Sequence, residues 1–410
     1  TNTDVVLLEE EMKKLEEKIK LYEEILTNPD KLNSVIKEDL RKIKKEYGIP
    51  RRTEIREELE EIKVDTTRMI PKEQVVVVVT NEGYIKKVPQ RSYNTAKEEE
   101  TTLKENDYVT GLYNITTTDT LLLFTNLGNY LYLPVYDIPE VKWKELGKHI
   151  SNIISLSPEE KVINSIPVYN FDEERYITSF TKNGMVKRTI LNEFKVQRYS
   201  KPIKMMNLKG TDEVISVTDS TLSNVLIATS NGYGLWYDIN EVPVVGIKAA
   251  GVKAISLKDD YVVSGILFDV ASEYLTILTD KGTAKRMRLT ELEKTSRAKR
   301  GILLMKTIKS NPSKIIKAYI INSKNQIGIV SDDYSKIVKL TEISIMDRYS
   351  NGSYIIKDRI IDSYIVSELI SKEDKEEVTE EIVVEKKQIS LSEIDDKLSN
   401  IDSIIKDINE

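Results

Sequence analysis

Pairs of basic residues recur at a fixed distance after turn-forming glycines along this chain of 410 residues. Each pair stands three and four residues after the glycine of an apolar–turn–apolar pattern. The pairs are Lys86-Lys87, Lys187-Arg188 and Lys285-Arg286. Because a repeat fold places equivalent positions at equivalent points, we expect these six side chains to converge on one surface. Cationic side chains grouped in this way bind phosphate groups.

Further basic residues flank these pairs, and the densest run is RAKR at 297–300, beside a glycine that allows close approach of a backbone. The additional candidates for a DNA-binding surface are Arg91, Arg198, Lys201, Lys204, Lys248, Lys253, Arg297, Lys299 and Arg300. A curved row of cations suits the backbone of duplex DNA, which it would bind without reading sequence. The competing interpretation is that Lys is abundant here and its stems cover strand edges.

The other residue types in the chain argue against several kinds of active site. The chain has no cysteine and one histidine, His149, so a Ser-His-Asp triad or a Cys/His zinc site cannot be assembled convincingly. No acidic cluster has the spacing of a calcium loop, and no Gly-rich phosphate loop of Walker type is present. Trp143 and Trp236 are expected to pack between strands. We therefore predict no catalytic residue and no metal ligand.

The pattern that carries the basic pairs repeats six times. It reads VVVVVTNEGYIKKV at 75–88, and its turn glycines are Gly83, Gly128, Gly184, Gly232 and Gly282, with Tyr334 in the sixth position. A run of β-branched residues, a turn with glycine and a second run predict a hairpin. One hairpin in about every 50 residues is typical of a propeller or repeat array.

Second segments also recur between the hairpins, such as IKAAGVKAISL at 247–257 and SRAKRGILLMK at 296–306. Each begins with basic and small residues and continues into an apolar run, so we expect about four strands in each repeat, which matches a blade. The predicted fold is mainly β, a six-bladed β-pinwheel or propeller-like disc over residues 73–365. Whether the disc closes is left open.

Helical patterns and charge divide the rest of the chain. Residues 1–48 have apolar residues at heptad spacing, broken at Asn28-Pro29, and predict a coiled-coil arm and a following helix that ends at a left-handed Gly48. Residues 49–72 are a predicted linker. Residues 366–410 hold 6 Lys/Arg against 14 Asp/Glu and predict an acidic tail with a possible amphipathic helix. The chain has no apolar run of membrane-spanning length, and its start, without Met, indicates a piece of a longer protein.

Several of these segments resemble one family. TNTDVVLLEEEMKKLEEKI at the start, GYIKKVPQRSYN, the long stretch TTDTLLLFTNLGNYLYLPVYDIPEVKWKELGKHISNII, NGMVKR and RAKRGILLMK are similar to the C-terminal region of the A subunits of bacterial type IIA topoisomerases. Within this gyrase A and topoisomerase IV A family, the chain resembles the topoisomerase IV members of the Gram-positive type. Its opening helix resembles the returning arm of the coiled coil at the exit gate.

The resemblance implies a DNA-binding pinwheel that bends or captures a duplex during ATP-dependent double-strand passage, in decatenation, relaxation and chromosome segregation. It implies an assembly of two A and two B subunits, a cytoplasmic, nucleoid-associated location, and ATP and Mg²⁺ in the holoenzyme but no cofactor in this part. The family's catalytic tyrosine lies before the coiled coil, so this part is expected to be inactive alone. The loop at 92–107 is acidic and lacks the basic Gly-rich box of gyrase A. A gyrase A C-terminal domain and a protein-interaction propeller without DNA binding remain as alternatives.

Overall fold

The computed structural model describes residues 5–49, 70–306, 308, 310 and 312–374. The chain divides into two compact units, Thr1–Val64 and Asp65–Glu410, which are described in turn. Most of the predicted linker and the predicted amphipathic helix of the tail lie outside the described residues.

The first unit contains two helices, α1 (Val5–Thr27) and α2 (Pro29–Tyr47). The side chain of Asn28 caps α2, because its Oδ1 accepts the backbone N–H of Asp30 at 3.0 Å, and Pro29 takes the first helical position. The predicted break at this point is confirmed. The left-handed conformation predicted for Gly48 is wrong, since its φ of −68° and ψ of 117° are extended and its N–H continues the helix by bonding the Lys44 carbonyl at 2.9 Å.

The apolar stripe of both helices is exposed within the described residues. Leu8 is 52% exposed and Leu26 is 82% exposed, and α2 shows Ile36, Leu40 and Ile43 on its surface in the same way. Helices of this length are marginal in water without packing against another element. The partner helix predicted for this stripe stays a prediction.

The second unit is a six-bladed β-propeller, with five four-stranded sheets and one three-stranded sheet among the described residues. A short helix, α3 (Gln90–Ala96), follows the first hairpin. In chain order, the strands are β1 (Gln74–Thr80), β2 (Tyr84–Pro89), β3 (Val109–Thr116), β4 (Thr120–Thr125), β5 (Asn129–Pro134), β6 (Lys148–His149), β7 (Val162–Val168), β8 (Tyr176–Thr181), β9 (Met185–Ile190), β10 (Ile203–Lys204), β11 (Val214–Thr218), β12 (Asn224–Thr229), β13 (Tyr233–Asp238), β14 (Val252–Lys253), β15 (Val262–Phe268), β16 (Tyr274–Thr279), β17 (Thr283–Arg288), β18 (Ile302–Leu303), β19 (Ile315–Tyr319), β20 (Gln326–Ser331), β21 (Ser335–Lys339), β22 (Ser353–Tyr354) and β23 (Ile360–Ile365).

Neighbouring blades exchange their outermost strands. The first blade has the order β3-β1-β2-β6, yet β6 comes after the hairpin β4-β5 of the second blade. The next four blades repeat this arrangement with β10, β14, β18 and β22 at their outer edges. The recurring second segments of the sequence therefore belong to the sheet of the preceding blade, and the predicted repeat does not coincide with one blade.

Each hairpin turn is built from a threonine and a glycine in the first five blades. Gly83 has a φ of 85°, a region that side chains with a Cβ rarely adopt, and its N–H bonds the Thr80 carbonyl at 3.0 Å. The Thr80 hydroxyl then accepts the N–H of Tyr84 at 3.1 Å. The strand before this turn is buried on both faces, because Val75 to Val79 are at most 2% exposed between the flanking blades.

The sixth hairpin has a shorter turn. Val79 pairs with Ile85 across the first turn, which leaves five residues between them, whereas Val330 pairs with Ser335 across four. Tyr334 therefore corresponds to the residue after the turn glycine, and the prediction that it occupies the glycine position is wrong. Its φ is not positive.

The first and sixth blades meet directly. The rings of Tyr108 and Tyr364 stack with centroids 3.7 Å apart, and the Tyr108 hydroxyl donates to Asp362 Oδ2 at 2.8 Å. Beyond β23 the chain continues along the first blade, where the Ile370 N–H bonds the Leu112 carbonyl at 3.0 Å. The ordered contacts of the propeller thus extend about five residues past the boundary predicted at 365.

Candidate nucleic-acid interface

The basic pairs on the hairpins do not form an exposed surface. Lys86, Lys187 and Lys285 are at most 2% exposed, and Lys87 is 8% exposed. The prediction that all six pair residues converge on one accessible surface is wrong for these four lysines. Strand pairing explains the error, because the outer strand supplied by the next repeat covers the hairpin strand that carries them.

The three most buried lysines bind backbone carbonyl groups. The Nζ of Lys285 donates to the carbonyls of Leu304 at 2.7 Å, Asp347 at 2.9 Å and Arg348 at 2.8 Å. Leu304 follows the outer strand of the fourth blade, whereas Asp347 and Arg348 precede that of the fifth. One ammonium group therefore ties together two successive segments at the edge of the propeller.

Lys187 repeats this arrangement two blades earlier. Its Nζ donates to the carbonyls of Met205 and Ile247, which flank the outer strands of the second and third blades. Lys86 lies in the first blade, which no other blade precedes along the chain. Its Nζ bonds the Trp143 carbonyl at 2.7 Å, the Glu145 carbonyl at 2.5 Å and the Thr101 hydroxyl at 2.5 Å.

Burial changes the acidity of these groups. Removal from water lowers the pKa of Lys86, Lys187 and Lys285 to about 8, and a nearby carboxylate offsets part of that shift in each case. The carbonyl ligands favour the ammonium form, so the three lysines are charged at neutral pH and hold the edge segments as hydrogen-bond donors.

The second residue of each pair bonds a carbonyl of the next repeat. Arg188 and Arg286 lie over tyrosine rings of their own blades, Tyr176 at 4.3 Å and Tyr274 at 5.1 Å, and the Arg188 guanidinium donates to the Ile239 carbonyl at 3.4 Å. The Arg286 Nε donates to the Ile343 carbonyl at 2.8 Å, and Lys87 Nζ donates to the Tyr136 carbonyl at 2.8 Å. These half-buried or buried side chains are committed to packing between blades.

The exposed cations lie instead on five equivalent segments that we call rim loops, each made of the connection before an outer strand and the strand itself. Rim loops 1 to 5 are residues 138–149, 195–204, 242–253, 292–303 and 343–354. The predicted residues that are exposed on them are Arg198, Lys201, Lys204, Lys248, Lys253, Lys299 and Arg300. Arg91 is exposed on α3, which packs against rim loop 1 through the rings of Tyr93 and Trp143.

Arg297 differs from its neighbours in the RAKR run. It is half-buried, its Nε donates to the Glu241 carbonyl at 2.9 Å, and its guanidinium also bonds the Lys253 carbonyl. Lys299 and Arg300 are exposed beside it, and the Arg300 guanidinium lies 4.3 Å from the centre of the Tyr233 ring. Arg297 thus holds rim loop 4 in place, and the two residues after it face solvent.

Three glutamates that were not among the predicted site residues anchor rim loops 3, 4 and 5, one glutamate to each loop. Glu193, Glu241 and Glu291 each accept a backbone N–H of a rim loop at 2.7 Å, from Ile247, Arg297 and Arg348 respectively. The signal was present in the sequence, because each glutamate ends a short Leu/Ile-x-Glu motif after the hairpin.

A glycine in a left-handed conformation precedes four of the five outer strands. Gly301 has a φ of 82°, and a Cβ there would meet the Gly234 backbone of the neighbouring strand. Gly301 thus lies close to a strand of the propeller itself. The glycine allows the loop to turn tightly against the sheet, which leaves the preceding cations on the outside.

Charge is unevenly divided among the rim loops. Rim loop 2 has four basic residues and no acidic one, rim loop 3 has two and none, and rim loop 4 has four and one. Rim loop 1 has three basic and two acidic residues, and rim loop 5 has one of each. The three consecutive middle blades therefore form a continuous cationic arc, which can attract a polyanion along its length.

Other features of the described residues offer no competing chemistry. A cavity of about 710 Å³ is lined by residues of the first, second, third, fifth and sixth blades, but its charges are mixed, because Glu82 and Asp362 line it together with Lys161 and Lys317. His149 bonds the Glu82 carbonyl and Ser151. Among the described residues no group of three His, Asp or Glu side chains could hold a metal ion, and no helix is both long and apolar enough to cross a bilayer.

Comparison with known proteins gives consistent matches. The family model described as "DNA gyrase C-terminal domain, beta-propeller" matches residues 74–97, 119–168, 175–218, 223–268 and 273–322, more than half of the chain. The DNA topoisomerase 4 A subunit from Bacillus subtilis (strain 168) is 42% identical over 361 residues, which are 87% of this chain and 45% of that protein. Its counterpart from Staphylococcus aureus (strain MRSA252) is 38% identical over 374 residues, 89% of this chain and 46% of that protein. The chain thus spans about half the length of these curated relatives.

Solved structures share the fold. A crystal structure of the C-terminal domain of DNA topoisomerase IV has a TM-score of 0.70 and 40% identity, and the match covers 72% of this chain and 94% of that one. A DNA gyrase A C-terminal domain matches with a TM-score of 0.53 and 20% identity, over 72% of this chain and 98% of that one. The second match supports the fold alone.

Proposed function

Because this chain belongs to the family of gyrase A and topoisomerase IV A C-terminal β-propellers, we propose that it binds duplex DNA along rim loops 2 to 4. The observation that carries the proposal is the arc of exposed Lys and Arg on three consecutive blades with a single acidic residue among them. Phosphates would bind this arc by counterion release, with no reading of base sequence.

The arc also supports bending of the duplex. Successive rim loops are held at fixed positions by Lys187, Lys285 and the three glutamates, so the cations follow the curvature of the propeller. Smooth bending of a short duplex costs on the order of a few kcal/mol, which several simultaneous phosphate contacts can offset. We propose that the curved arc favours bent or crossing DNA over straight DNA.

In the whole protein, this domain would present a duplex for strand passage. The curated relatives are named as A subunits of DNA topoisomerase 4, and we propose the same role here, with decatenation and relaxation as the outcome. A second A subunit, two B subunits, ATP and Mg²⁺ belong to this proposal. The acidic segment after α3 supports topoisomerase IV over gyrase, because it packs on rim loop 1 through a Glu99–Lys144 ion pair of 2.6 Å instead of offering a basic box.

The test is binding of the chain to an end-labelled duplex of about 40 bp across a salt series. The variant carries Arg198→Ala, Lys201→Ala and Lys204→Ala, and the matched control carries Lys281→Ala, Lys324→Ala and Lys357→Ala, which are exposed outside the rim loops. We expect the rim variant to lower the salt slope by about three and the control to leave it nearly unchanged. Bending would appear as energy transfer between the duplex ends.

Two outcomes would overturn the proposal. Absence of binding at low salt would favour a protein-interaction propeller. Equal losses in the rim variant and the control would mean that net charge, and not the arc, determines affinity.

A further inference from the structure

The outer edge of the sixth blade is open within the described residues. Its sheet has the order β21-β20-β23, and no fourth strand pairs with β21. In the other five blades the corresponding edge is covered by a rim loop and its outer strand. An uncovered edge strand presents unpaired backbone groups and is a site for pairing with another extended segment.

The backbone groups needed for such pairing are identified by the other blades. In the first blade, the Lys87 N–H bonds the Pro139 carbonyl at 2.9 Å and its carbonyl accepts the Val141 N–H at 3.1 Å. In the fifth blade, Arg286 makes the same two bonds to Ser344 and Met346, each at 2.9 Å. Strand pairing places Ile337 at the equivalent position of the sixth blade, where no described rim loop meets it.

The side chain of Ile337 is correspondingly uncovered. It is 55% exposed, although it lies in the middle of a strand, and Tyr334 beside it is 41% exposed. Lys87, at the same position of the first blade, is 8% exposed. An apolar residue at this edge would be covered by a partner segment with apolar side chains.

Lys336 supplies a second, independent sign of a missing segment. It pairs with Ile329 and so corresponds to Lys86, Lys187 and Lys285. Its Nζ bonds the Ile355 carbonyl, which follows the outer strand of the fifth blade, at 3.4 Å. Lys285 bonds the preceding blade in the same way through Leu304, but it also bonds two carbonyls of its own rim loop. Within the described residues, Lys336 has no rim loop of its own blade whose carbonyls it could bond, and its side chain is exposed.

We propose that residues 380–385 of the same chain, with the sequence EEIVVE, dock on the outer edge of β21 as its missing strand. The three central residues are apolar and β-branched, the types that favour strands and would cover Ile337. Glu380, Glu381 and Glu385 flank them, and Lys336 and Lys339 flank the apolar centre of β21. Oppositely charged residues on adjacent strands stabilise the pairing.

The chain is long enough for this contact. Ile370 is held against the first blade, which adjoins the sixth, and residues 372–374 after it are helical. The six steps from Asp374 to Glu380 can span up to about 20 Å. The vacant position lies three strand spacings from β23, which is about 14 Å.

The absence of cysteine makes disulfide trapping a direct test. In the full chain, Ile337→Cys is combined with Val383→Cys, and the matched control combines Ile337→Cys with Ser403→Cys. Because the register determines which side chain faces Ile337, Ile382→Cys and Val384→Cys are measured as well. We expect a disulfide within one chain to form at least about tenfold faster at one of positions 382–384 than at 403, since pairing fixes the two sites close together.

Hydrogen exchange supplies a second readout that does not depend on introduced cysteines. The Ile337 amide should exchange at least about tenfold more slowly in the wild-type chain than in the Ile382→Lys, Val384→Lys variant, while the amides of β20 stay unchanged. Trapping that is no faster at any of positions 382–384 than at 403, together with an Ile337 amide that exchanges as in an open strand, would overturn the proposal. A disulfide that joins two chains would assign the edge to a second copy and would equally overturn it.

Discussion

The buried lysines of the hairpins and the exposed cations of the rim loops use the same residue type in opposite ways. Lys285 is surrounded by carbonyl groups and has a lowered pKa, whereas Lys201 and Lys299 face solvent. The first group holds neighbouring segments of the propeller together, and the second is available to a polyanion. Position relative to the exchanged outer strand, more than residue type, determines which role a lysine has.

Removal of a buried lysine should have the largest effect on stability. Lys285→Ala leaves three carbonyls without their donor and creates a cavity, so we expect a loss of about 2–4 kcal/mol in the free energy of unfolding. Denaturant unfolding followed by fluorescence measures it, with Lys201→Ala as the control, expected within about 0.5 kcal/mol of wild type. Equal stability of the two variants would remove the distinction between the groups.

Substitution of exposed cations on the rim loops should lower DNA affinity and leave stability nearly unchanged. For Lys299→Ala with Arg300→Ala, we expect DNA affinity to fall by about tenfold at moderate salt, because two phosphate contacts are lost. The midpoint of unfolding should stay near that of wild type. If this variant lost stability and kept its affinity, rim loop 4 would be structural throughout, as Arg297 is.

The pH dependence of stability should separate the groups further. The folded-state pKa of Lys285 is about 8, below its ordinary value near 10.5, so the unfolded chain binds more protons between these pH values. The cost of burying the charge is therefore present in full below pH 8 and is relieved as pH rises toward 10.5. Relative to Lys285→Leu, the wild-type chain should gain stability over this window. Unfolding curves of both chains at pH 7, 8, 9 and 10 would establish it.

The glutamate anchors should give the smallest effect. Glu241→Ala removes the acceptor of the Arg297 N–H, and we expect a loss of about 1 kcal/mol in stability and a fall of a few fold in DNA affinity. Glu241→Gln keeps an acceptor oxygen and should recover most of the stability and most of the DNA affinity. A larger effect from Gln than from Ala would contradict the anchoring role.

Much of this architecture was predictable from the sequence. The spacing of Gly83, Gly128 and the later turn glycines predicted six hairpins, and the β-branched runs predicted strands, because both signals are local. The outer strands were misassigned to their own repeats, since two-residue strands such as β18 have no periodicity and their pairing depends on the tertiary fold.

The candidate site was predicted in part for the same reason. Arg198, Lys201, Lys299 and Arg300 are exposed on the rim loops, as a DNA surface requires, and their contact with DNA stays a prediction. Burial of Lys86 and Lys187 could not be anticipated, because each lies in a strand whose cover comes from a segment about 60 residues later. A charged residue in a hairpin strand usually indicates that its side of the strand faces solvent. The side chain can nevertheless be buried when several backbone carbonyls accept hydrogen bonds from it.

The exchange of outer strands gives the propeller a mechanical direction. A pulling force applied at the C-terminal end would first release Ile370 from the first blade and would then detach β23 and β22, and the loss of β22 exposes the edge of the fifth blade before the sixth hairpin has unfolded. Each later step would release about one repeat and uncover the blade before it. The domain should therefore unravel blade by blade from its last repeat, with force steps of nearly equal contour length.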